Sequence, residues 1–264
     1  MGQAMREGMQ HILQANGLTV GRDGKALLSD VQMTFPAGSL TAMLGPNGIG
    51  KSTLLRTLAG LLQPLAGQVL VHGADVHRMP ATGRARQIAV VLTGRPPGGM
   101  IDVQTLVALG RQPWTDRWGR TRREDREAVE HALVRADAID LRHRQVATCS
   151  DGECQKVLIA RALAQDTPVM LLDEPTAFLD LANRAGIVRM LRSIAHEEGK
   201  TVLFSTHDLQ LAMDLCDHMV LLRRDAGVWQ GTPGQAMASG ELAKTLEGSG
   251  VAIDHRTGTH RFMP

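Results

Sequence analysis

The stretch Gly45-Pro46-Asn47-Gly48-Ile49-Gly50-Lys51-Ser52-Thr53 constrains the fold of this chain more than any other. It has the form G-x-x-x-x-G-K-[ST] and sits between an apolar run, Leu40 to Leu44, and a helix-compatible run, Thr53 to Leu62. Glycines allow the backbone to turn tightly and aim its N–H groups at phosphate oxygens. The helix start adds its positive end, Lys51 adds a mobile cation, and Ser52 offers a hydroxyl to Mg2+. A strand, a phosphate-binding loop and a helix in that order predict an α/β fold whose ligand is a nucleoside triphosphate.

The remaining apolar runs agree. Val69 to Val71, Ile88 to Leu92, Val169 to Leu172 and Val202 to Phe204 have the length and composition of strands, several of them buried on both faces. Ile187, Met190, Leu191, Ile194 and Ala195 share one helix face, with Gly199 as its stop. Val129, Ala132, Leu133 and Ala136 share another, with Thr121 and Glu124 as its capping box. From Asp102 to Thr148 there is no strand signal, which predicts a helical subdomain set into an α/β core.

A second acidic site follows Val169-Met170-Leu171-Leu172. Asp173 and Glu174 stand at the end of a buried strand, where α/β sheets bind ligands. Asp173 can hold Mg2+ through water, and Glu174 can polarise a water aimed at a γ-phosphate.

Composition narrows the class. Lys and Arg number 29 against 27 Asp and Glu, so no polyanion-binding surface follows from the charge, and nucleic acid is not an expected partner. The Arg-rich stretches Arg111 to Arg126 and Arg135 to Arg144 are interrupted by acids and read as solvated faces. Cys149, Cys154 and Cys216 fit neither a disulfide framework nor a zinc spacing, and read as incidental reduced thiols. Met1 to Gln14 has no apolar targeting core, and no run of about 18 apolar residues occurs. Both predict a cytosolic or peripheral chain.

The phosphate loop, Ser150-Asp151-Gly152-Glu153 opening a helix, the Asp173-Glu174 strand end, and Ser205-Thr206-His207-Asp208 after another strand stand in one order. Over about Leu18 to Ile253 this order resembles the ATP-binding subunit of ABC transporters. The resemblance implies a P-loop NTPase of the ABC ATPase type: one domain over 1–264, with a mixed-sheet nucleotide-binding core at 18–101 and 164–264 and a helical subdomain at about 102–163 that carries the signature segment. Leu109-Gly110-Arg111-Gln112-Pro113-Trp114, followed by Trp118-Gly119-Arg120, resembles the importers that serve iron-siderophore, haem and cobalamin permeases. Trp114 and Trp118 themselves read as one aromatic pair packed on the subdomain core.

The resemblance also implies roles. Gly45 through Thr53 bind the phosphates of ATP, with Lys51 assisting catalysis. Ser52 and Asp173 serve Mg2+, Glu174 is the general base and His207 contacts the γ-phosphate. Two ATPase subunits meet head to tail, so that Ser150 and Gly152 of one copy complete the site of the other, with Asp180 at the seam. Two membrane permease subunits and an external solute-binding protein are the implied partners. The implied location is peripheral, on the cytoplasmic face of the cell membrane.

Several positions depart from the family pattern. The signature carries Cys149, Asp151 and Glu153 where Leu-Ser-Gly-Gly-Gln is usual. The added charges are expected to weaken ATP-driven dimerisation, unless Glu153 turns back onto Ser150 in a capping box. A glutamine that touches Mg2+ is replaced by Thr93, whose shorter hydroxyl would act through water. The usual adenine-stacking aromatic is replaced by Arg22, which can either stack on the base or stay an ordinary exposed arginine. Two other functions remain consistent with an ATP-binding cassette: a soluble ABC ATPase acting on nucleic acid or the ribosome, and a regulatory subunit that binds ATP with weak hydrolysis.

Overall fold

The computed structural model describes residues 11–94, 100–116, 118–223, 227–246, 251–253 and 260–262. Residues 1–10 of the stretch read above for targeting lie outside them.

The chain opens with strands β1 (His11–Arg22) and β2 (Lys25–Pro36), antiparallel and joined at Asp23-Gly24. Both turn residues have positive φ (51° and 75°), the conformation that matches strand twist in a two-residue hairpin. After β3 (Leu40–Leu44) and helix α1 (Lys51–Leu58), strands β4 (Ala66–Val71) and β5 (Ala74–Asp75) complete an antiparallel sheet of order β2-β1-β4-β5. A short helix α2 (Ala81–Ala85) leads to β6 (Ile88–Val91).

Helices α3 (Val103–Ala108), α4 (Arg123–Arg135) and α5 (Asp151–Ala164) fill the interval before β7 (Val169–Leu172). Then come α6 (Leu181–Glu198), β8 (Thr201–Ser205), α7 (Leu209–Leu215), β9 (His218–Arg223), β10 (Gly227–Gly231), α8 (Pro233–Ala238) and α9 (Glu241–Leu246). The main sheet has the order β10-β9-β3-β8-β7-β6, parallel except for β10. Strands β11 (Val251–Ile253) and β12 (His260–Phe262) pair separately.

Every residue of β3, β7 and β8 is buried, as strands covered on both faces must be. Alternation decides which face each side chain serves. Met170, Leu172, Val202 and Phe204 join a core with α3, α4, α5 and α6. Val169, Leu171, Leu203 and Met43 face the other way, onto α1, β1 and β2. Leu54, Leu55 and Leu58 fix α1 on that second core, each burial stabilising the fold by roughly 2 kcal/mol. The first turn of α1 is thereby held at the C-terminal edge of the sheet.

Some local expectations change. Helix α4 has its N-cap at Arg122, not Thr121, and Asp125 rather than Glu124 accepts from the N-cap backbone N at 2.8 Å. The register is set by Asp125, which is buried and also accepts from Arg111 Nε at 2.9 Å. Arg111 itself is buried and donates to Ala164 O, so it is not part of a solvated face. Trp114 packs with its Nε1 donating to Gln165 O and with the guanidinium groups of Arg86 and Arg111 near its ring, whereas Trp118 is 77% exposed. The two tryptophans do not form a packed pair. The stop of α6 at Gly199 is as expected, with φ 66°.

Candidate active site

The loop from Gly45 to Gly50 joins β3 to α1 at the edge of the main sheet. A Cβ at Gly45 would lie 2.9 Å from Leu222 O, so only glycine lets the loop pass β9. Gly50 caps α1 with φ 113°. Lys51 is buried and folds over the loop, its Nζ donating to Gly45 O at 2.8 Å and to Pro46 O at 3.2 Å. Burial holds its pKa below the ordinary lysine range, opposed by the Glu174 and Asp173 carboxylates. Asn47 and Gly48 are exposed, while Pro46 and Ile49 are half-buried.

Adjacent parallel strands bring the acidic site against this loop. Asp173 follows β7, and its Oδ1 accepts from Ser52 Oγ at 3.1 Å and from Ser205 Oγ at 2.8 Å. Glu174 follows with φ 48°, in the left-handed region. Its backbone N donates to Ser205 Oγ, and its Oε1 lies 2.6 Å from His207 Nε2. Thr93, just beyond β6, turns its hydroxyl onto Asp173 O at 2.9 Å. Lys51, Ser52, Thr93, Asp173, Glu174 and His207 therefore converge, although the sequence separates Ser52 from Asp173 by 121 positions.

The segment from Ser150 lies at the start of α5. Ser150 and Glu153 form a reciprocal capping box: Ser150 N donates to Glu153 Oε2 at 2.8 Å and Glu153 N to Ser150 Oγ at 3.3 Å. Glu153 also accepts from Arg144 at 2.7 Å. The Ser150 backbone bond, with help from Arg144, holds the Glu153 carboxyl below the usual range. Cys149 and Cys154 are both buried and occupy the positions flanking this cap, where an apolar pair pins the helix entry. That explains why Cys149 is accommodated in place of leucine. A Cβ on Gly152 would meet nothing in this chain closer than 3.8 Å.

A cavity lined by Thr93, Glu174 and Phe178 on one side and Asp151 and Gln155 on the other joins α5 to the edge of the sheet. Asp180 is exposed and caps α6, accepting from Asn183 N and Nδ2 at 2.8 Å each. Arg22 is not brought into the group: it is exposed at the hairpin tip, 3.8 Å from the Asp23 carboxylate. Ser205 opens the Ser205-Thr206-His207-Asp208 motif, but sequence reasoning assigned it no role of its own. The only signal was a hydroxyl residue at the end of an apolar strand, just before Thr206-His207.

A phosphate loop after strand β3, an Asp-Glu pair after β7 and a histidine after β8, the strand between them, define an ATP-binding P-loop ATPase of the ABC type. The chain belongs to the ABC transporter family, whose model matches residues 28–177. It is 38% identical to the achromobactin transport ATP-binding protein of Dickeya dadantii, over 87% of this chain and 85% of that one. It is 36% identical to the ferric enterobactin transport ATP-binding protein of Escherichia coli, over 96% and 93%. With the hemin import ATP-binding protein of Pseudomonas entomophila it shares 40%, over 88% and 91%. Among solved structures, an inward-facing putative metal-chelate type ABC transporter superposes with TM-score 0.79 at 26% identity, covering 90% of each chain.

Proposed function

We propose that this chain is the ATP-hydrolysing subunit of an importer for a metal chelate of the iron-siderophore, haem or cobalamin type. The observation that carries the hydrolytic part is the 2.6 Å contact between Glu174 and His207 beside the phosphate loop. The solute class rests on relatives that are transport proteins for achromobactin, ferric enterobactin and hemin.

In this reading the backbone N–H groups of Gly45 to Thr53 and the start of α1 take the phosphates of ATP, and Lys51 leaves the Gly45 and Pro46 carbonyls for phosphate oxygens. Ser52 and Asp173 suit Mg2+, being hard oxygen donors 3.1 Å apart. Mg2+ bound there would neutralise charge on the phosphate oxygens. Glu174 accepts a proton from the attacking water, and His207 orients the Glu174 carboxylate and reaches the γ-phosphate. Thr93 supports the site through Asp173 O. The exposed Arg22 takes the role of an ordinary surface arginine, or stacks on adenine once ATP is bound.

The active unit is a homodimer in which Ser150 and Gly152 of a second copy close each site and Asp180 lies at the seam. Residues 102–163 act as the helical subdomain and 18–101 with 164–264 as the core, in a single domain over 1–264. Two permease subunits, with an external solute-binding protein acting through them, receive the motion. The chain sits peripherally on the cytoplasmic face of the membrane. No helix among the described residues is long and apolar enough to cross a membrane.

Co-purification from membranes with a permease, followed by reconstitution, tests this reading. ATP-dependent uptake of a ferric siderophore, haem or cobalamin by the parent and not by Glu174→Gln supports it. Purification without any membrane partner, on ribosomes or nucleic acid instead, would overturn it.

A further inference from the structure

We infer that Ser205 is a positioning residue for ATP hydrolysis, its one hydroxyl fixing the Asp173 carboxylate and the Glu174 backbone together. The inference rests on Glu174 being the general base.

Strands β7 and β8 are parallel neighbours paired Leu172 to Phe204, so the next residue of each, Asp173 and Ser205, stand side by side at the sheet edge. Ser205 has no exposed surface. Its Oγ lies 2.8 Å from Asp173 Oδ1 and 2.8 Å from Glu174 N. The hydrogen-bond directions are forced. An ionised carboxylate only accepts and a backbone N–H only donates, so the single hydroxyl proton goes to Asp173 and an oxygen lone pair receives Glu174 N–H. Ser52 also donates to Asp173 Oδ1, at 3.1 Å, but in the proposed reading its hydroxyl serves Mg2+ once nucleotide binds. Ser205 is the donor that remains.

The second bond matters because of the conformation of Glu174. Its φ of 48° lies in a region that a glutamate adopts only when its surroundings impose it. At the strand end its N–H finds its acceptor in Ser205 rather than in the sheet ladder. Backbone conformation directs the side chain, so this bond aims the Glu174 carboxylate at His207. Ser205 and His207 are two residues apart on one strand end. Between them they hold the backbone and the carboxylate of the same glutamate.

Ser205→Thr and Ser205→Val differ only in hydroxyl against methyl, so the pair isolates the hydrogen bonds from the packing of a buried strand position. With the full-length chain, Ser205→Val should lose about tenfold or more in kcat for ATP, with KM changed less than about threefold. Ser205→Thr should recover most of that loss. In a Glu174→Gln background the Thr-to-Val exchange should cost clearly less than in the parent, because only the part that acts through Asp173 remains. Near-ultraviolet circular dichroism checks that each variant is folded, and Ser205→Ala replaces Ser205→Val if the latter is not.

Equal kcat for the threonine and valine variants, with Glu174→Gln inactive, overturns this inference alone. A tenfold loss that persists in the Glu174→Gln background does the same. A parental rate in Glu174→Gln overturns the general-base reading itself.

Discussion

His207 Nε2 and Glu174 Oε1 lie 2.6 Å apart although 33 positions separate them in the chain. The contact exists because β7 and β8 are adjacent and both end at the phosphate loop. If His207 orients the base, His207→Ala should lower kcat by about a hundredfold while ATP affinity changes little. Steady-state hydrolysis alongside equilibrium binding of a fluorescent ATP analogue reads both quantities.

The charge in the signature segment is unequally disposed. Glu153 is committed to Ser150 N and Arg144, whereas Asp151 is exposed beside Gly152. Replacing Asp151 by Gly should therefore strengthen ATP-driven dimerisation, by about threefold or more at low ionic strength. Glu153→Gln alone should do little. Sedimentation velocity with Mg-ATP on the Glu174→Gln background, where hydrolysis is expected to be lost, measures both.

Glu153 should instead show itself in stability. Its folded pKa is depressed, chiefly by the Ser150 backbone bond, so the ionised form binds its partners more strongly in the folded state. That contribution is present above the unfolded pKa and lost as pH falls through the folded one. Glu153→Gln should lower the unfolding midpoint by roughly 2 °C at neutral pH. The difference should shrink as pH falls below about 4, which thermal scans over a pH series can follow.

Arg111 and Asp125 form a buried pair at 2.9 Å inside the helical stretch. Removing one partner strands the other, so Arg111→Met should cost about 3 kcal/mol, more than an exposed pair such as Arg123 with Glu127 could contribute. Urea denaturation of Arg111→Met and Arg123→Met compares the two pairs directly.

What the sequence disclosed follows a physical rule. The β3-loop-α1 unit, the β7 strand with Asp173 and Glu174, the Ser150 capping box and the Gly199 stop are each specified by contiguous residues, and each was legible. The long β1 and β2 strands were not read from a hydrophobic run, because their burial alternates and their pairing is interrupted by bulges. Ser205 and the Thr93 contact to Asp173 depend on which strands become neighbours, which no local pattern contains. The burial of Arg111 and the exposure of Trp118 likewise depend on how α4 and α5 pack against the segment that joins α3 to α4. The candidate site was thus legible as a list of residues, and its hydrogen-bonding order came only from the sheet.

The most direct test is steady-state Mg-ATP hydrolysis by the parent and by Glu174→Gln at saturating ATP, with bound nucleotide measured in parallel. Glu174→Gln is isosteric, so it should retain ATP while losing at least about a hundredfold in rate. A Glu174→Gln rate within about threefold of the parent would contradict the assignment of Glu174 as the group that activates water.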